Sequence, residues 1–266
     1  MSYLVIKCGG SVLERLPQTF YNNIVELYKS GVCKPVIVHG GGPLISSLLT
    51  KIGVETKFVD GLRVTTMEVL DVVEMVLSGS VNKKIVERLQ KVGGSAYGIS
   101  GVDGGLLQAK PSQNAEQLGF VGEVVHVKSE LIDAIFEQGQ IPVISPVAID
   151  ENGQKYNING DVAASAVAQA LGAKLCFISD IPGIYAEENG ETKTFHELTE
   201  KQVESLIEQK VITGGMIPKV KAAIDGLTHN VEEVVILNGM TVNSLTHFLQ
   251  GKSIGTKIIA GEMQNV

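Results

Sequence analysis

The stretch "YLVIKCGGSVLE", residues 3–14, joins a short apolar run to a lysine and then to two glycines. The apolar run predicts a buried strand, and the glycines predict a turn directly after it. The phosphate-binding P-loop combines the same parts, but its lysine follows the glycines. Here Lys7 precedes them, at the carboxyl end of the strand, where open α/β sheets bind ligands. Burying an ammonium group without a partner is costly, so a functional and a purely structural interpretation of Lys7 both stay open.

Further apolar runs recur along the chain, and each is followed by a segment of helical length. This alternation predicts an α/β protein with a largely parallel sheet covered by helices on both faces. We place a seam between an N-terminal lobe, residues 1–172, and a C-terminal lobe, residues 173–266. The runs are "PVIVHGGG" (35–42), "IPVISPV" (141–147), "KLCFISD" (174–180) and "EEVVIL" (232–237).

The pattern changes between about Ser95 and Val127, where short alternating pieces such as "AYGIS" and "FVGEVVHV" are divided by glycine-containing turns. Alternation with such turns predicts an antiparallel ribbon inserted in the α/β pattern. We interpret this inserted β-hairpin, near Gly94–Val127, as a lid or an interface.

Composition restricts the class of partner. Lys and Arg number 22 against 29 Asp and Glu, a net charge of −7, which argues against binding nucleic acid or an anionic membrane through bulk charge. Cys8, Cys33 and Cys176 lack C-x-x-C spacing, which predicts buried free thiols in a reducing compartment. No apolar run approaches membrane-spanning length, so we expect a soluble, cytoplasmic protein.

Several familiar motifs are absent from the sequence. "GKS" at 251–253 lacks the earlier glycine of a P-loop, and no G-x-G-x-x-G follows a strand. The five histidines show no zinc-binding spacing, and we assign no metal ligand among the protein side chains. His39, at the end of a buried strand, is expected to be structural.

Two glycine-containing motifs suit an anionic ligand. In "VIVHGGGP", Gly40–Gly42 separate a strand from a helix, so their N–H groups can approach a carboxylate or a phosphoryl group. A tight turn alone seldom needs three glycines. In "ITGGMIPKVKAA", Lys219 opposes the dipole at a helix start, which a bound anion would resolve, whereas we expect Lys221 to be solvated.

The segment "KYNINGDVAASAVAQALGA" carries polar residues at alternate positions. In an extended chain Asn157, Asn159 and Asp161 would face the same side. Asp161 begins a small-residue helix, whose dipole keeps a carboxylate ionised. A plain N-cap role for Asp161 is the alternative. Arg63 in "VDGLRVTT" suits bidentate capture of a carboxylate, although an arginine in a loop is usually just solvated.

Taken together, "IKCGGSV", "VIVHGGGP", "DGLRVT", "YNINGDVAA", "SDIPGIY" and "GGMIPKVKAA" resemble, in sequence and order, the amino acid kinase family, over nearly the whole chain from Tyr3 to Ile259. The resemblance implies a three-layer αβα sandwich with the acid substrate over the N-terminal lobe and ATP over the C-terminal lobe. "DGLRVT" and "NINGD" are similar to members that use ATP, with Mg²⁺ on the nucleotide, to phosphorylate the side-chain carboxylate of N-acetyl-L-glutamate in arginine biosynthesis.

The resemblance also implies roles for individual residues. Lys7 would contact the transferring phosphoryl group, Lys219 would support the leaving side, and Asp161 would orient both lysines. Arg63 and Asn157 would hold the acid substrate, and Asn159 would help to order the site. The remaining matched residues are Gly9 and Gly10 for the phosphoryl group, Gly41 and Gly42 for the substrate, and Asp180, Gly183, Ile184, Tyr185, Val211, Ile212 and Thr213 for the nucleotide.

The resemblance further implies a homodimer, which we expect to be insensitive to arginine because no extra helix precedes the first strand. Two alternatives stay open. A kinase acting on carbamate, glutamate or aspartate would share the phosphoryl machinery, and Arg63 with "NIN" argues against it. A non-catalytic sensor on the same fold is the other, and the joint presence of Lys7, Asp161 and Lys219 argues against it.

Overall fold

The computed structural model describes residues 1–188, 191–214, 216–228, 231 and 233–259. Gly215 of the "ITGG" motif lies outside these residues. The strands are β1 (Ser2–Cys8), β2 (Cys33–His39), β3 (Phe58–Val59), β4 (Leu62–Arg63), β5 (Ala96–Ser100), β6 (Leu107–Pro111), β7 (Gly122–Val127), β8 (Ile141–Ser145), β9 (Val147–Ile149), β10 (Lys155–Asn157), β11 (Lys174–Ser179), β12 (Tyr185–Glu188), β13 (Glu191–Thr194), β14 (Glu197–Thr199), β15 (Glu233–Asn238) and β16 (Thr256–Ile259).

The helices alternate with these strands through most of the chain. The α-helices are α1 (Gly10–Leu13), α2 (Gln18–Lys29), α3 (Gly42–Lys51), α4 (Met67–Glu74), α5 (Asn82–Lys91), α6 (Ala115–Leu118), α7 (Ser129–Glu137), α8 (Gly160–Leu171), α9 (Glu200–Glu208), α10 (Met216–Thr228) and α11 (Ser244–Leu249); a π-helix (Met75–Val81) joins α4 to α5, and a 3₁₀ helix covers Asp103–Gly105.

A central eight-stranded sheet confirms the predicted α/β class. Its order is β14-β16-β15-β11-β1-β2-β8-β5, and all neighbours are parallel except β15 and β16. Strand β1 lies in the middle, paired with β2 on one side and β11 on the other. The carboxyl ends of β1, β2 and β11 therefore meet at one edge, the position at which open α/β sheets hold ligands.

Helices cover both faces of this sheet, as a three-layer sandwich requires. Alternate residues of β1 point to opposite faces, so Leu4 and Ile6 enter one apolar core while Val5 enters the other. The first core includes side chains of α2, α3, α4 and α5, and the second includes side chains of α7, α8 and α10. Because β1 is buried on both faces from Leu4 onward, its sequence is continuously apolar from Tyr3 to Ile6.

The predicted ribbon is only partly correct. Strands β6 and β7 do form an antiparallel hairpin, which joins β9 and β10 in a separate four-stranded sheet. "AYGIS", which we assigned to the ribbon, is instead β5, the edge strand of the central sheet, parallel to β8. An edge strand exposes one border and part of one face, so its alternating pattern imitates that of a ribbon strand.

"IPVISPV" is likewise two strands rather than one. Pro146 separates β8, which belongs to the central sheet, from β9, which belongs to the four-stranded sheet. Proline has no N–H to donate to a sheet and ends the regular pairing there.

The predicted state of the cysteines is confirmed, since Cys8, Cys33 and Cys176 are all buried free thiols. Within the described residues, none of the helices has the length and apolar character needed to cross a lipid bilayer.

Candidate active site

Two lysines and one aspartate from distant parts of the chain converge at the carboxyl edge of the central sheet. Lys7 Nζ lies 2.7 Å from Asp161 Oδ1, and Lys219 Nζ lies 3.3 Å from the same oxygen. Lys7 comes from β1, Asp161 from the first turn of α8 and Lys219 from α10. Their exposed fractions are only 6%, 8% and 9%, respectively. We call these three residues the charged triad.

The electrostatics of the triad favour an anion. Burial raises the pKa of Asp161, but the charges of Lys7 and Lys219 outweigh this and lower the pKa overall. Burial, together with repulsion from Lys7, lowers the pKa of Lys219 to about 8. With both lysines protonated the triad carries one net positive charge in a poorly hydrated place. An anionic ligand would balance that charge.

The local sequence places the aspartate. Asn159 is the N-cap of α8, and its Oδ1 accepts hydrogen bonds from the N–H groups of Asp161 (2.8 Å) and Val162 (3.3 Å). The alternative that Asp161 is itself the cap is therefore wrong. Asp161 lies inside the first turn, where the helix dipole stabilises its negative charge while its side chain stays free to bind lysines.

Two glycine segments lie in contact beside the triad. A Cβ added to Gly10 would lie 2.8 Å from Gly41 Cα and 2.9 Å from the backbone N of both Gly41 and Gly42. A Cβ on Gly9 would lie 3.8 Å from Lys7 Nζ. Gly10 and Gly42 are the first residues of α1 and α3, and the first N–H groups of a helix have no acceptor within it. The triad thus adjoins a set of backbone donors.

Arg63 lies at the end of β4 and is 8% exposed. Its Nη2 donates to the carbonyl O of Gly42 (3.1 Å) and to Ser46 Oγ (2.9 Å), and its guanidinium stacks on the Phe58 ring. Its Nη1 is buried and has no hydrogen-bond partner among the described residues. A buried guanidinium with an unused donor, attached to the second glycine segment, suits a ligand carboxylate.

Asn157 does not share an extended segment with the triad aspartate, because the chain leaves β10 at this residue and enters α8. Its Nδ2 donates to Thr65 Oγ1 (3.1 Å), and its backbone N–H donates to Phe120 O (2.9 Å). The alternation of Asn157, Asn159 and Asp161 therefore does not put them on one face. Asn157 instead ends a strand, Asn159 caps α8, and Asp161 lies in the first turn of that helix.

A cleft of ≈ 430 Å³ lies beside the start of α8, between the β3–β4 hairpin, β7, α8 and α10. Leu62, Asn159 and the exposed Lys221 line it, as does Ser112. The Ser112 hydroxyl is buried and finds no hydrogen-bond partner in the part of the chain that is described. Sequence reasoning missed Ser112 and Thr65, since single hydroxyl residues outside a glycine or charge motif give no signal.

The residues expected to hold a nucleotide differ in their burial and contacts. Asp180 accepts from Arg15 Nη1 (2.8 Å) at the surface. Gly183 has φ +148°, and a Cβ there would lie 2.5 Å from Thr256 Oγ1, so this position requires glycine. Ile184 and Ile212 are buried in the second core, whereas Tyr185 is half-buried and Val211 and Thr213 are exposed.

Comparison with known proteins agrees with this architecture. The sequence profile of the amino acid kinase family matches residues 2–238. An acetylglutamate kinase from Oceanobacillus iheyensis is 50% identical over 266 residues, all of both chains, and one from Geobacillus kaustophilus is 50% identical over 256 residues, 96% of this chain and 95% of that one. The crystal structure of smu.665 from Streptococcus mutans superposes with a TM-score of 0.84 at 31% identity, covering 97% of this chain and 99% of that one.

The contact between the glycine segments leads to a prediction about stability. Gly10→Ala should cost about 1–3 kcal/mol of the free energy of unfolding, because the new methyl group meets backbone atoms that must move. Gly79→Ala is the matched control, since a Cβ at that helical position meets nothing within 4 Å. Urea unfolding measures both, and equal stability of the two variants would contradict the close approach.

Proposed function

The chain belongs to the amino acid kinase family, and we propose that it transfers the γ-phosphoryl group of ATP to the side-chain carboxylate of N-acetyl-L-glutamate. The products are N-acetyl-L-glutamyl 5-phosphate and ADP. This reaction is the second step of arginine biosynthesis. The observation that carries the reaction type is the pair of lysines buried around Asp161 beside two glycine segments. The identity of the acid is supported by relatives that are 50% identical and named acetylglutamate kinase.

The chemistry of the reaction fits these residues. Phosphoryl transfer passes through a loose transition state rich in negative charge, so it needs positioning and positive charge. A carboxylate nucleophile has no proton to lose, so no general base is required. Lys7 and the amides of Gly9, Gly10, Gly41 and Gly42 would surround the transferring group, and Lys219 would stabilise the leaving oxygen. Asp161, already paired with two ammonium groups, orients them and does not act as a base.

The acid substrate is proposed to bind in the N-terminal lobe, residues 1–172. Nη1 of Arg63, which has no hydrogen-bond partner within the described part of the chain, would hold its α-carboxylate, and Asn157 would bind the N-acetyl side. Asn159 acts indirectly, by capping the helix that carries Asp161.

The nucleotide is proposed to bind over the C-terminal lobe, residues 173–266. Asp180, Gly183, Ile184 and Tyr185, with the segment 211–213, would form its pocket, largely through backbone groups. Among the described residues no three His, Cys, Asp or Glu side chains gather to bind a metal ion. Mg²⁺ would bind on the ATP phosphates, where it would neutralise part of their charge.

The test of this function is an assay for ATP- and Mg²⁺-dependent acyl phosphate, trapped with hydroxylamine. We expect strong preference for N-acetyl-L-glutamate over glutamate, aspartate and carbamate. Turnover of another acid would discard the substrate while keeping the phosphoryl-transfer roles. Binding of ATP without any product would instead indicate a sensor.

The role of Arg63 predicts a selective effect of Arg63→Lys. Lysine keeps the charge but cannot bond the Gly42 carbonyl and Ser46 Oγ while also presenting the donor that Nη1 provides, so the KM for the acid should rise roughly 10- to 100-fold. The KM for ATP serves as the internal control and should change little, because Arg63 lies in the N-terminal lobe. A rise in the KM for ATP with an unchanged KM for the acid would refute the assignment.

The depressed pKa of Lys219 predicts a pH dependence. The free enzyme loses the Lys219 proton as the pH rises through about 8, so kcat/KM should fall above that pH. Bound phosphates favour the charged ammonium, so the corresponding fall in kcat should occur at higher pH. Lys219→Arg keeps its charge at this pH, so its kcat/KM should be lower than that of the wild type but should no longer fall near pH 8. If kcat/KM of Lys219→Arg still falls near pH 8, another group is responsible for the fall.

We also propose a cytoplasmic homodimer. The three free thiols support the compartment. The dimer is supported by β5, which ends the central sheet and has no second neighbouring strand among the described residues. Tyr97 on this edge strand is 48% exposed. Light scattering should give about twice the chain mass of 28.3 kDa. Tyr97→Glu should favour the monomer by placing charge on the edge, whereas Val32→Glu should not, because Val32 is exposed and directly precedes β2, which pairs with β1 and β8. A hexamer, or a dimer unaffected by Tyr97→Glu, would contradict this arrangement.

A further inference from the structure

A buried polar network contacts the second glycine segment, Gly40–Gly42, through the carbonyl of Gly40. His39 ends β2 with no exposed surface, immediately before Gly40. Its Nδ1 lies 3.2 Å from the carbonyl O of Gly40, and its Nε2 lies 3.3 Å from Asn82 Nδ2. Neither residue carries a role in the mechanism proposed above.

Asn82 determines which ring nitrogen carries the proton. Its Nδ2 also faces two carbonyl oxygens, Val143 O at 2.9 Å and Ile99 O at 3.4 Å, while its Oδ1 accepts from Lys83 Nζ at 3.1 Å. Carbonyl oxygens only accept, so the atom that faces them is the NH₂ nitrogen. One of its N–H groups is directed to Val143 O, and the other is shared between Ile99 O and His39 Nε2. His39 Nε2 is therefore an acceptor.

The ring must be neutral to accept a hydrogen bond. Burial lowers the pKa of His39 to about 4; the bond to Gly40 opposes this, and the charge of Lys83 adds to it. A neutral imidazole has one N–H, and with Nε2 accepting, that N–H is on Nδ1. His39 Nδ1 consequently donates to the carbonyl O of Gly40.

This bond sets the direction of the next amide. The C=O and N–H of one trans peptide point in opposite directions, and the described residues contain no cis peptide bond. With the Gly40 carbonyl held towards the imidazole, the N–H of Gly41 points away from it. The backbone N of Gly41 and that of Gly42 lie alongside Gly10.

The π-helix supports the same segment from its other side. A Cβ on Gly41 would lie 2.6 Å from Leu77 Cδ2 and 3.2 Å from Val81 Cγ2, so these π-helix side chains seat directly against Gly41. Asn82 follows the π-helix at once and is 1% exposed. π-Helices are frequent at functional sites. This one places Leu77 and Val81 against Gly41, and it places Asn82, which follows it, against His39.

We propose that His39 is a positioning residue, whose Nδ1–H holds the Gly40 carbonyl so that the Gly41 amide faces the transferring phosphoryl group, with Asn82 setting the tautomer. This inference rests on the proposed phosphoryl transfer. It differs from the purely structural role that the sequence predicts for His39.

The tautomer is measured without any substrate, so its test is independent of the proposed function. We would record ¹⁵N–¹H spectra of the wild-type protein labelled in its five histidines and identify His39 by the signal lost in His39→Asn. We expect a neutral ring with Nδ1 protonated between pH 5 and 8. A ring protonated on Nε2, or one that titrates near its ordinary pKa, would overturn the proposal.

Two variants separate positioning from packing. The amide of His39→Asn can take the place of Nδ1–H, whereas that of His39→Gln reaches only the Nε2 position. We expect His39→Asn to keep kcat within about threefold and His39→Gln to lose about tenfold, the effect of one lost hydrogen bond, with the KM of both substrates little changed. His126→Gln, at an exposed position, is the control and should keep wild-type kcat.

Thermal unfolding is recorded for each variant beside its kinetics. A loss of kcat in His39→Gln that His39→Asn rescues supports positioning. Equal loss in both variants, following their loss of thermal stability, would show a packing role only and overturn the proposal, as would full kcat in both.

Discussion

The ion pairing of Asp161 with Lys7 and Lys219 is the interaction on which the candidate site depends. Two ammonium groups buried side by side repel each other and lose hydration, and a single carboxylate between them offsets part of both costs. Removing the carboxylate would leave two buried charges of like sign. The triad therefore holds together only when β1, α8 and α10 are all correctly placed, and this links the chemistry to the whole fold.

The second constraint is the close approach of backbone to backbone at the two glycine segments. Gly10 lies against Gly41 and Gly42 with no room for a side chain, while Gly41 is seated on Leu77 and Val81. Without side chains in the way, peptide N–H groups can gather next to Lys7. The lysines thus supply positive charge and the amides supply directed hydrogen-bond donors, from different parts of the chain. The buried His39–Asn82 network connects the glycine segment Gly40–Gly42 to the sheet.

Sequence reasoning failed where tertiary context overrides a local pattern. The strand β5 was assigned to a ribbon because an edge strand alternates like one, and its place beside β8 is a long-range fact. A helix-cap role for Asp161 stayed open as an alternative, although Asn159 takes the cap, because both residue types favour that position. Ser112, Thr65 and Asn82 gave no signal, since their significance lies only in what they face.

By itself the sequence determined the α/β class, the free thiols, the family resemblance and the glycine, lysine and aspartate residues of the candidate site, because apolar periodicity and short motifs are local properties. The tertiary structure alone decided that Lys7 and Lys219 contact the same oxygen of Asp161. It also decided that Nη1 of Arg63 has no hydrogen-bond partner among the described residues, and that Asn82 orients the ring of His39. Distances between residues far apart in the chain, and the burial that shifts their pKa values, exist only after β1 has paired with β2 and β11 and the helices have covered both faces.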